Sequence, residues 1–337
     1  MNNVNVLSSP IHINPRRLCH ANLFVSDLKS SLNFYHRVCG LEIVLEQPKI
    51  NAGFLSNGNT HHDIGMLQVT AAPVFGEEGH RILAAKQGAA ARLYHLGWEM
   101  ESEFHLMQAY RRAVAAGYRI HRVVHHRASN SIYIFDPDGN IHEFYADTEK
   151  NWRDLYNDTS GQGASGEWDI ESSIPSRERK FHEDPEIRVV EGAPLEPVRF
   201  SHAVLHARNW ESMNLFFSNV VGLYELARAE QDHIALYSSD HGTYPVTLAL
   251  VRDTGESAEK KQGLHHMAFQ VRDVEALDRA EKRLNEQGIE IVRRIDSDNK
   301  SSIFIQDPDN FLVEFCCHKA GWSPMAAMGD GFDTFNI

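Results

Sequence analysis

The stretch HANLFVSDLKSSLNFYHRVCGLEIVLE, residues 20–46, decides the fold because its pattern returns as HAVLHARNWESMNLFFSNVVGLYELAR, residues 202–228. Both stretches begin with a histidine in an apolar, strand-like run. Both continue with apolar residues at helical spacing and reach a glycine, at Gly40 and Gly222. A pattern that returns within one chain indicates a duplicated architecture. The sequence therefore predicts two similar halves.

Each half also contains a second, related segment. HLGWEM at residues 95–100 corresponds to HMAFQV at residues 266–271, and a helical pattern follows each of them. Two hairpins come next, IYIFDPDGNIHEF at 132–144 and IFIQDPDNFLVEF at 303–315, with Pro, Asp and Gly or Asn supplying the turn. We therefore predict an α+β fold in which four β-α-β-β-β units pair into two similar domains.

The repeats also suggest domain boundaries. We expect an N-terminal, catalytic domain at residues 17–147 and a C-terminal domain at residues 198–318. The polar segment 148–197 has no counterpart in the units and is predicted to be a linker. Residues 1–16 and 319–337 are left as an N-terminal extension and a tail. A chain of 337 residues is long enough for two such domains.

Composition and charge restrict the possible partners. The 33 Lys and Arg against 46 Asp and Glu give a net charge of -13, which opposes binding to nucleic acid. No apolar run approaches the ~20 residues that span a bilayer, and the start MNNVNVLSSP lacks signal-peptide features, so we expect a cytoplasmic protein without a membrane partner. The four cysteines form no CxxC pair and are predicted to be reduced thiols. We expect a small-molecule ligand and a homo-oligomer.

One pattern of metal-ligand residues recurs in both halves. His20 and His95 stand at the start of corresponding strands, and Glu143 lies in the last strand of its unit. The second half repeats the set at His202, His266 and Glu314, again with 48 positions from the second histidine to the glutamate. Two imidazoles and one carboxylate leave coordination positions open, which suits Fe(II), while Mn(II) fits the same ligands. Common origin explains the recurrence, but not why the shared residues are preferred metal ligands.

These features resemble a known superfamily. The HxxLxV-type strands, the DPDGN turn and the terminal glutamate resemble the vicinal oxygen chelate superfamily, which includes glyoxalases, bleomycin-binding proteins and dioxygenases. The four-unit layout resembles its type I extradiol dioxygenases over nearly the whole chain, apart from the linker and the ends. That resemblance implies Fe(II)- and O2-dependent cleavage of a small catechol-type aromatic, although the fold alone does not fix the reaction.

A second set of residues selects among the members of this superfamily. The chain contains HHDIGMLQV at residues 61–69 and HRASNSIYIFDPDGN at residues 126–140, which resemble the extradiol pattern. By that resemblance His62, His126 and Tyr133 carry over as acid–base and substrate-orienting residues, with His125 as the alternative to His126.

The second half lacks these acid–base residues. Its TYPVTLAL segment at 243–250 has no histidine. Phe304 and Ser297 stand at the positions that correspond to Tyr133 and His126 of the first half. We therefore expect the working metal site in the N-terminal half and a structural C-terminal domain. A second, non-catalytic metal in the C-terminal set is left open.

Two other functions are also left open. The first is a glyoxalase-like or isomerase metalloenzyme that does not use O2, although such relatives often have a glutamate where this chain has His20. The second is a protein that binds an aromatic ligand without chemistry, which has no need of proton-transfer groups. The sequence does not predict which catechol is cleaved, nor proximal or distal cleavage.

Overall fold

The fold is taken from a computed structural model of the chain. It describes residues 10–75, 81–83, 85, 88–157, 165–229, 233–240, 246–253 and 263–319. Parts of four predicted segments lie outside the described residues: 1–9 of the N-terminal extension, 158–164 of the linker, 243–245 of TYPVTLAL and 320–337 of the tail.

The described residues form nineteen strands and five α-helices. The strands are β1 Arg17–Val25, β2 Glu42–Gln47, β3 Ala52–Ser56, β4 Ile64–Gln68, β5 Val74–Phe75, β6 Arg81–Leu83, β7 Arg92–Glu99, β8 Ile120–His126, β9 Ser129–Phe135, β10 Ile141–Asp147, β11 Ser165–Glu167, β12 Pro197–Ala207, β13 Tyr224–Ala229, β14 Ile234–Ser238, β15 Leu248–Arg252, β16 Leu264–Val271, β17 Arg293–Asp296, β18 Lys300–Gln306 and β19 Leu312–His318. The helices are α1 Leu28–Arg37, α2 Glu103–Ala115, α3 Trp152–Asn157, α4 Trp210–Leu215 and α5 Val274–Glu286, with a 3-10 turn at Pro48–Ile50 and a π-helix at Phe216–Val221.

Two large mixed sheets carry most of these elements. Their strand orders are β11-β8-β9-β10-β7-β1-β4-β3-β2 and β13-β14-β15-β12-β16-β19-β18-β17. The first and last strands of each unit pair in parallel, and two units meet at the antiparallel pairs β1 with β7 and β12 with β16. The prediction of four β-α-β-β-β units in two similar domains is confirmed. The predicted linker contributes β11, which pairs with β8 at the edge of the first sheet.

Two of the helices begin at aspartates whose side chains cap them. Asp27 accepts a hydrogen bond from the Ser30 N–H, and Asp273 accepts one from the Ala276 N–H, at 2.6 and 2.7 Å. Gly40 follows α1 with φ +76°, and a Cβ there would lie 2.1 Å from the Leu195 carbonyl oxygen. Only glycine meets both conditions without strain. The helix of the third unit differs, because α4 continues as a π-helix before Gly222.

Hydrogen bonds at the DPDG and DPDN turns cross between the two halves. Asp138 accepts from the backbone N–H of Asn209 at 3.0 Å, just before α4, and Asp309 accepts from the Ser26 N–H at 2.9 Å, just before α1. The buried Tyr35 hydroxyl donates to Asp307 at 3.0 Å. One apolar core continues through both halves between the sheets and helices. The two sheets are therefore held together by matched polar contacts as well as by apolar packing.

Two further findings concern the helices and the cysteines of the described residues. No helix among them is long and apolar enough to cross a membrane. The four cysteines are buried and free of disulfide bonds, at Cys19, Cys39, Cys316 and Cys317.

A buried carboxylate ties the start of the first domain to its sheet. Glu99 at the end of β7 accepts a hydrogen bond from Arg17 Nε at 2.8 Å and another from Arg16. Burial by itself would raise the pKa of Glu99, but the two guanidinium groups lower it to about 2. The carboxylate therefore stays charged and stabilises the folded state over most of the pH range.

We predict that Glu99→Gln lowers the free energy of unfolding by about 3 kcal/mol at pH 7, because two guanidinium groups lose a buried partner. Since the folded-state pKa is depressed to about 2, this contribution is present above about pH 5 and is lost as the pH falls toward 2. Urea unfolding at pH 7 and pH 4 measures both effects. The control is Glu101→Gln, a partly exposed partner of Arg179, which is expected to cost less than about 1 kcal/mol. Equal losses for the two variants would contradict this account.

Candidate metal centre

Three neighbouring strands bring the predicted N-terminal ligand set together. His20 lies on β1, His95 on β7 and Glu143 on β10, and β10-β7-β1 are adjacent in the sheet. The Nε2 atoms of both histidines lie 3.0 Å from Glu143 Oε2, and the three ligand atoms lie within 4.8 Å of one another. Leu96 and Trp98 alternate with His95 and pack into the core on the opposite face, because successive side chains of a strand point to opposite sides.

A glycine on β7 makes room for one of these imidazoles. His20 pairs with Gly97 across β1 and β7, and a Cβ on Gly97 would lie 1.9 Å from His20 Nε2. The imidazole therefore lies directly over the backbone of the neighbouring strand. Sequence reasoning missed this residue, although a glycine inside a strand is itself a signal of close approach.

The donor set fits a divalent cation. All three side chains are buried, and burial lowers the pKa of His20 to about 4 and also lowers that of His95, so both imidazoles are neutral. Burial opposes ionisation of Glu143, but hydrogen bonds from His126 and His20, together with the nearby His95 imidazole, hold its pKa well below the usual range. Among the described residues, His95 Nε2 has no hydrogen-bond partner. Two neutral imidazoles and one carboxylate are the state that binds a metal ion.

Tyr133 and His126 connect the carboxylate to the surface. The Tyr133 hydroxyl donates to Glu143 Oε1 at 2.5 Å, and His126 Nε2 lies 2.8 Å from the same hydroxyl. Because Tyr133 donates its proton to the carboxylate, it accepts the hydrogen bond from the imidazole. The His126 side chain is 33% exposed, whereas Tyr133 is buried. A continuous path therefore runs from solvent through two proton-bearing groups to Glu143.

The adjacent histidines His61 and His62 have different environments beside His20. The His62 ring lies 4.1 Å from the His20 ring, and both of its nitrogens are buried without a hydrogen-bond partner among the described residues. His61 Nδ1 lies 3.1 Å from Asp147 Oδ1. Burial would lower the pKa of His61, but Asp147 raises it above its ordinary value. The structure thus brings His61 to the centre as well as the predicted His62.

The region around Tyr133 holds two more residues of interest. Arg122, which the sequence did not single out, places its guanidinium 4.5 Å from the centre of the Tyr133 ring and donates to the Tyr94 hydroxyl at 3.1 Å. It supplies positive charge on the face of the phenol. His125, the alternative to His126, is paired with Asn130 at 2.8 Å. The structure therefore favours His126 over His125 as the residue in contact with Tyr133.

The C-terminal ligand set is assembled in the same way. The Nε2 atoms of His202 and His266 lie 3.1 and 3.3 Å from Glu314 Oε2, and all three residues are fully buried. Phe304 lies beside Glu314 in the register that Tyr133 occupies beside Glu143. The second set therefore keeps the ligand geometry without the phenol.

Fold and ligand geometry together define a family. The sequence matches the Glyoxalase/Bleomycin resistance protein/Dioxygenase superfamily over residues 17–144 and 199–315. The chain belongs to this superfamily, with one matched segment in each half. A search of curated proteins found no match.

Solved structures with the same fold include both oxygen-dependent and other enzymes. The Mn(II)-bound glyoxalase from Novosphingobium aromaticivorans is 19% identical, with a TM-score of 0.61 over 90% of this chain and 82% of that one. The 2,3-dioxygenase LapB from Pseudomonas sp. KL28 is 15% identical, with a TM-score of 0.61 over 90% and 94%. Homoprotocatechuate 2,3-dioxygenase from Arthrobacter globiformis is 16% identical, with a TM-score of 0.61 over 95% and 85%. At these identities the likeness shows the fold alone.

We predict that His95→Ala weakens binding of Mn(II) or Fe(II) by more than about 100-fold, because it removes one of three direct ligands. The matched control is His266→Ala, at the corresponding position of the second half, which should leave this affinity unchanged. Titration under anaerobic conditions, with bound metal measured after gel filtration, gives both values. Loss of the tight site in His266→Ala but not in His95→Ala would place the metal in the other half.

Proposed function

We propose that the protein is an Fe(II)-dependent extradiol dioxygenase that cleaves a catecholic ring beside its two hydroxyls, with O2 as the second substrate. The observation that carries this proposal is the connected group of His126, Tyr133 and Glu143 at an His-His-Glu ligand set. Metal ligands alone are common to the superfamily, whereas proton-bearing residues in contact with them are what ionisation of a catechol requires.

His20, His95 and Glu143 would hold the metal. When bound there, Fe(II) would act as a Lewis acid toward the catechol and would transmit electrons from the catechol to O2, and Mn(II) suits the same ligands. Tyr133 is placed to hydrogen-bond a substrate oxygen through its hydroxyl. His126 Nε2, which donates to that hydroxyl, can pass a proton to it and be reprotonated from solvent, because the imidazole is partly exposed.

His62 is proposed to act from another side of the centre. Its ring lies 4.1 Å from the His20 ring, and its two nitrogens have no competing partner among the described residues, so they remain free to hydrogen-bond a reacting group. Phe54 packs against the ring at 5.1 Å and holds it in place. His61, oriented by Asp147, stands beside it as a second proton carrier.

The surroundings of Tyr133 suit an aromatic substrate. A cluster of buried apolar residues lies around it and includes Phe24, Leu67, Tyr94 and Ile141. Apolar walls exclude water and strengthen the polar contacts that remain. One related structure, homoprotocatechuate 2,3-dioxygenase from Brevibacterium fuscum, is a complex with 3,4-dihydroxyphenylacetate. A catechol of similar size is a reasonable first substrate for this chain.

A metalloenzyme that does not use O2 is the second candidate. It is favoured by the Mn(II)-bound glyoxalase, whose fold is as similar to this chain as that of the dioxygenases. The His126–Tyr133 pair favours the dioxygenase, because it offers a phenol and an imidazole in series at the ligand carboxylate.

The experiment that separates the two is O2 uptake by the anaerobically Fe(II)-loaded protein mixed with a panel of catechols. We expect stoichiometric O2 consumption together with the near-visible absorbance of a ring-opened product. Protein with confirmed bound iron that consumes no O2 across the panel would favour the second candidate.

We predict that Tyr133→Phe retains the metal but slows ring opening by about 100-fold or more, the scale of losing one acid–base or polarising group. Tyr118→Phe is the matched control, because its hydroxyl donates to the Phe135 carbonyl away from the ligand set. Stopped-flow measurement of product formation, with metal content determined on the same samples, tests the role. Unchanged turnover in Tyr133→Phe would remove this residue from the mechanism.

A further inference from the structure

The C-terminal ligand set contains a positive charge supplied by the protein itself. Lys300 Nζ lies 2.6 Å from Glu314 Oε1, and both side chains are 0% exposed. Burying a lysine is costly unless its ammonium is paired. The ion pair with Glu314 therefore stabilises Lys300 in this buried position. The corresponding pair is absent from the N-terminal set, where Ser129 occupies the position that matches Lys300.

Lys300 reaches the carboxylate oxygen that the missing phenol would have reached. In the N-terminal set Glu143 Oε2 faces the two histidines, and Oε1 accepts the Tyr133 hydroxyl. In the C-terminal set Glu314 Oε2 likewise faces two histidines, and Oε1 faces the ammonium. Phe304 has no hydroxyl to offer in that register. Lys300 lies four residues before Phe304 on β18, and its ammonium contacts the second oxygen of the Glu314 carboxylate in place of a phenol.

The two sets consequently differ in charge rather than in ligand geometry. Glu143 meets neutral donors, so a divalent cation supplies the positive charge that a buried carboxylate requires. Arg122, whose guanidinium lies over the Tyr133 ring, donates to the Ile82 carbonyl and the Tyr94 hydroxyl. Glu314 is already neutralised by Lys300, and a divalent ion would add two positive charges beside a fixed ammonium in a site closed to water. Such repulsion is poorly screened in the interior.

We propose that the Lys300 ammonium replaces the metal ion in the C-terminal set, so that the chain binds one divalent cation, in the N-terminal set. His202, His266 and Glu314 then serve as a buried polar cluster that fixes the packing of β12, β16 and β19. This inference concerns the metal stoichiometry and does not depend on the reaction that the N-terminal set performs.

The test is the number of Mn(II) ions per chain, measured by elemental analysis after anaerobic loading and removal of excess metal. We expect one in the wild-type protein and two in Lys300→Met, which removes the charge and keeps an unbranched side chain. Lys300→Arg keeps the charge and should remain at one. Lys300→Met/His266→Ala should return to one, which assigns the added ion to the C-terminal set.

Two results would overturn the proposal. Either two ions in the wild-type chain, one of them lost in His266→Ala, or a folded Lys300→Met that binds no more metal than the wild type contradicts it. The test compares the number of bound ions between the wild type and the variants. Its result therefore has the same meaning whether or not the N-terminal set binds metal or the protein uses O2.

A measurement on the wild-type protein covers the case in which Lys300→Met does not fold. Anomalous scattering from Mn(II)-loaded crystals should give a peak beside Glu143 and none beside Glu314. A peak within bonding distance of Glu314 Oε2 contradicts the proposal, whatever the behaviour of the variant.

Discussion

The buried Glu143 carboxylate is the constraint on which the rest of the N-terminal centre depends. A charged carboxylate removed from water must be met by donors or cations, or its pKa rises until it is neutral. Here β1, β7, β8 and β9 each supply one polar group that faces the carboxylate, from His20, His95, His126 and Tyr133 respectively. The sheet order β9-β10-β7-β1 exists in this form because two units meet at the β1–β7 pair. The fold and the site are therefore parts of one arrangement.

The duplicated chain contains two such buried carboxylates, Glu143 and Glu314. Different side chains contact them in the two halves. Both keep two histidines against one carboxylate oxygen, at 3.0 to 3.3 Å. The other oxygen is met by a phenol that connects to solvent in one half and by a buried lysine in the other. A neutral hydrogen-bond donor leaves the site in need of a cation, whereas an ammonium does not. Two changes of side chain, Phe304 for Tyr133 and Lys300 for Ser129, thus separate the C-terminal set from the N-terminal one.

Contacts between the halves show how the second domain supports the first. Its helix α4 begins where Asp138 accepts the Asn209 N–H, and the first helix begins where Asp309 accepts the Ser26 N–H. The two β-hairpins that carry Tyr133 and Phe304 end in these turns. Since the core is continuous through both halves, the C-terminal sheet helps to hold the N-terminal hairpin, and with it Tyr133, against Glu143.

The sequence by itself determined the four units and the two candidate ligand sets, because these follow from local periodicity and from a pattern that occurs twice. Only the tertiary structure decided which side chains meet. Lys300 on β18 reaches Glu314 on the neighbouring strand β19, and Arg122 lies over Tyr133. It likewise separated the roles of His61 and His62, which are adjacent in the chain but face different partners. Contacts of this kind depend on strand neighbours, register and side-chain reach, which residue spacing along one chain does not encode.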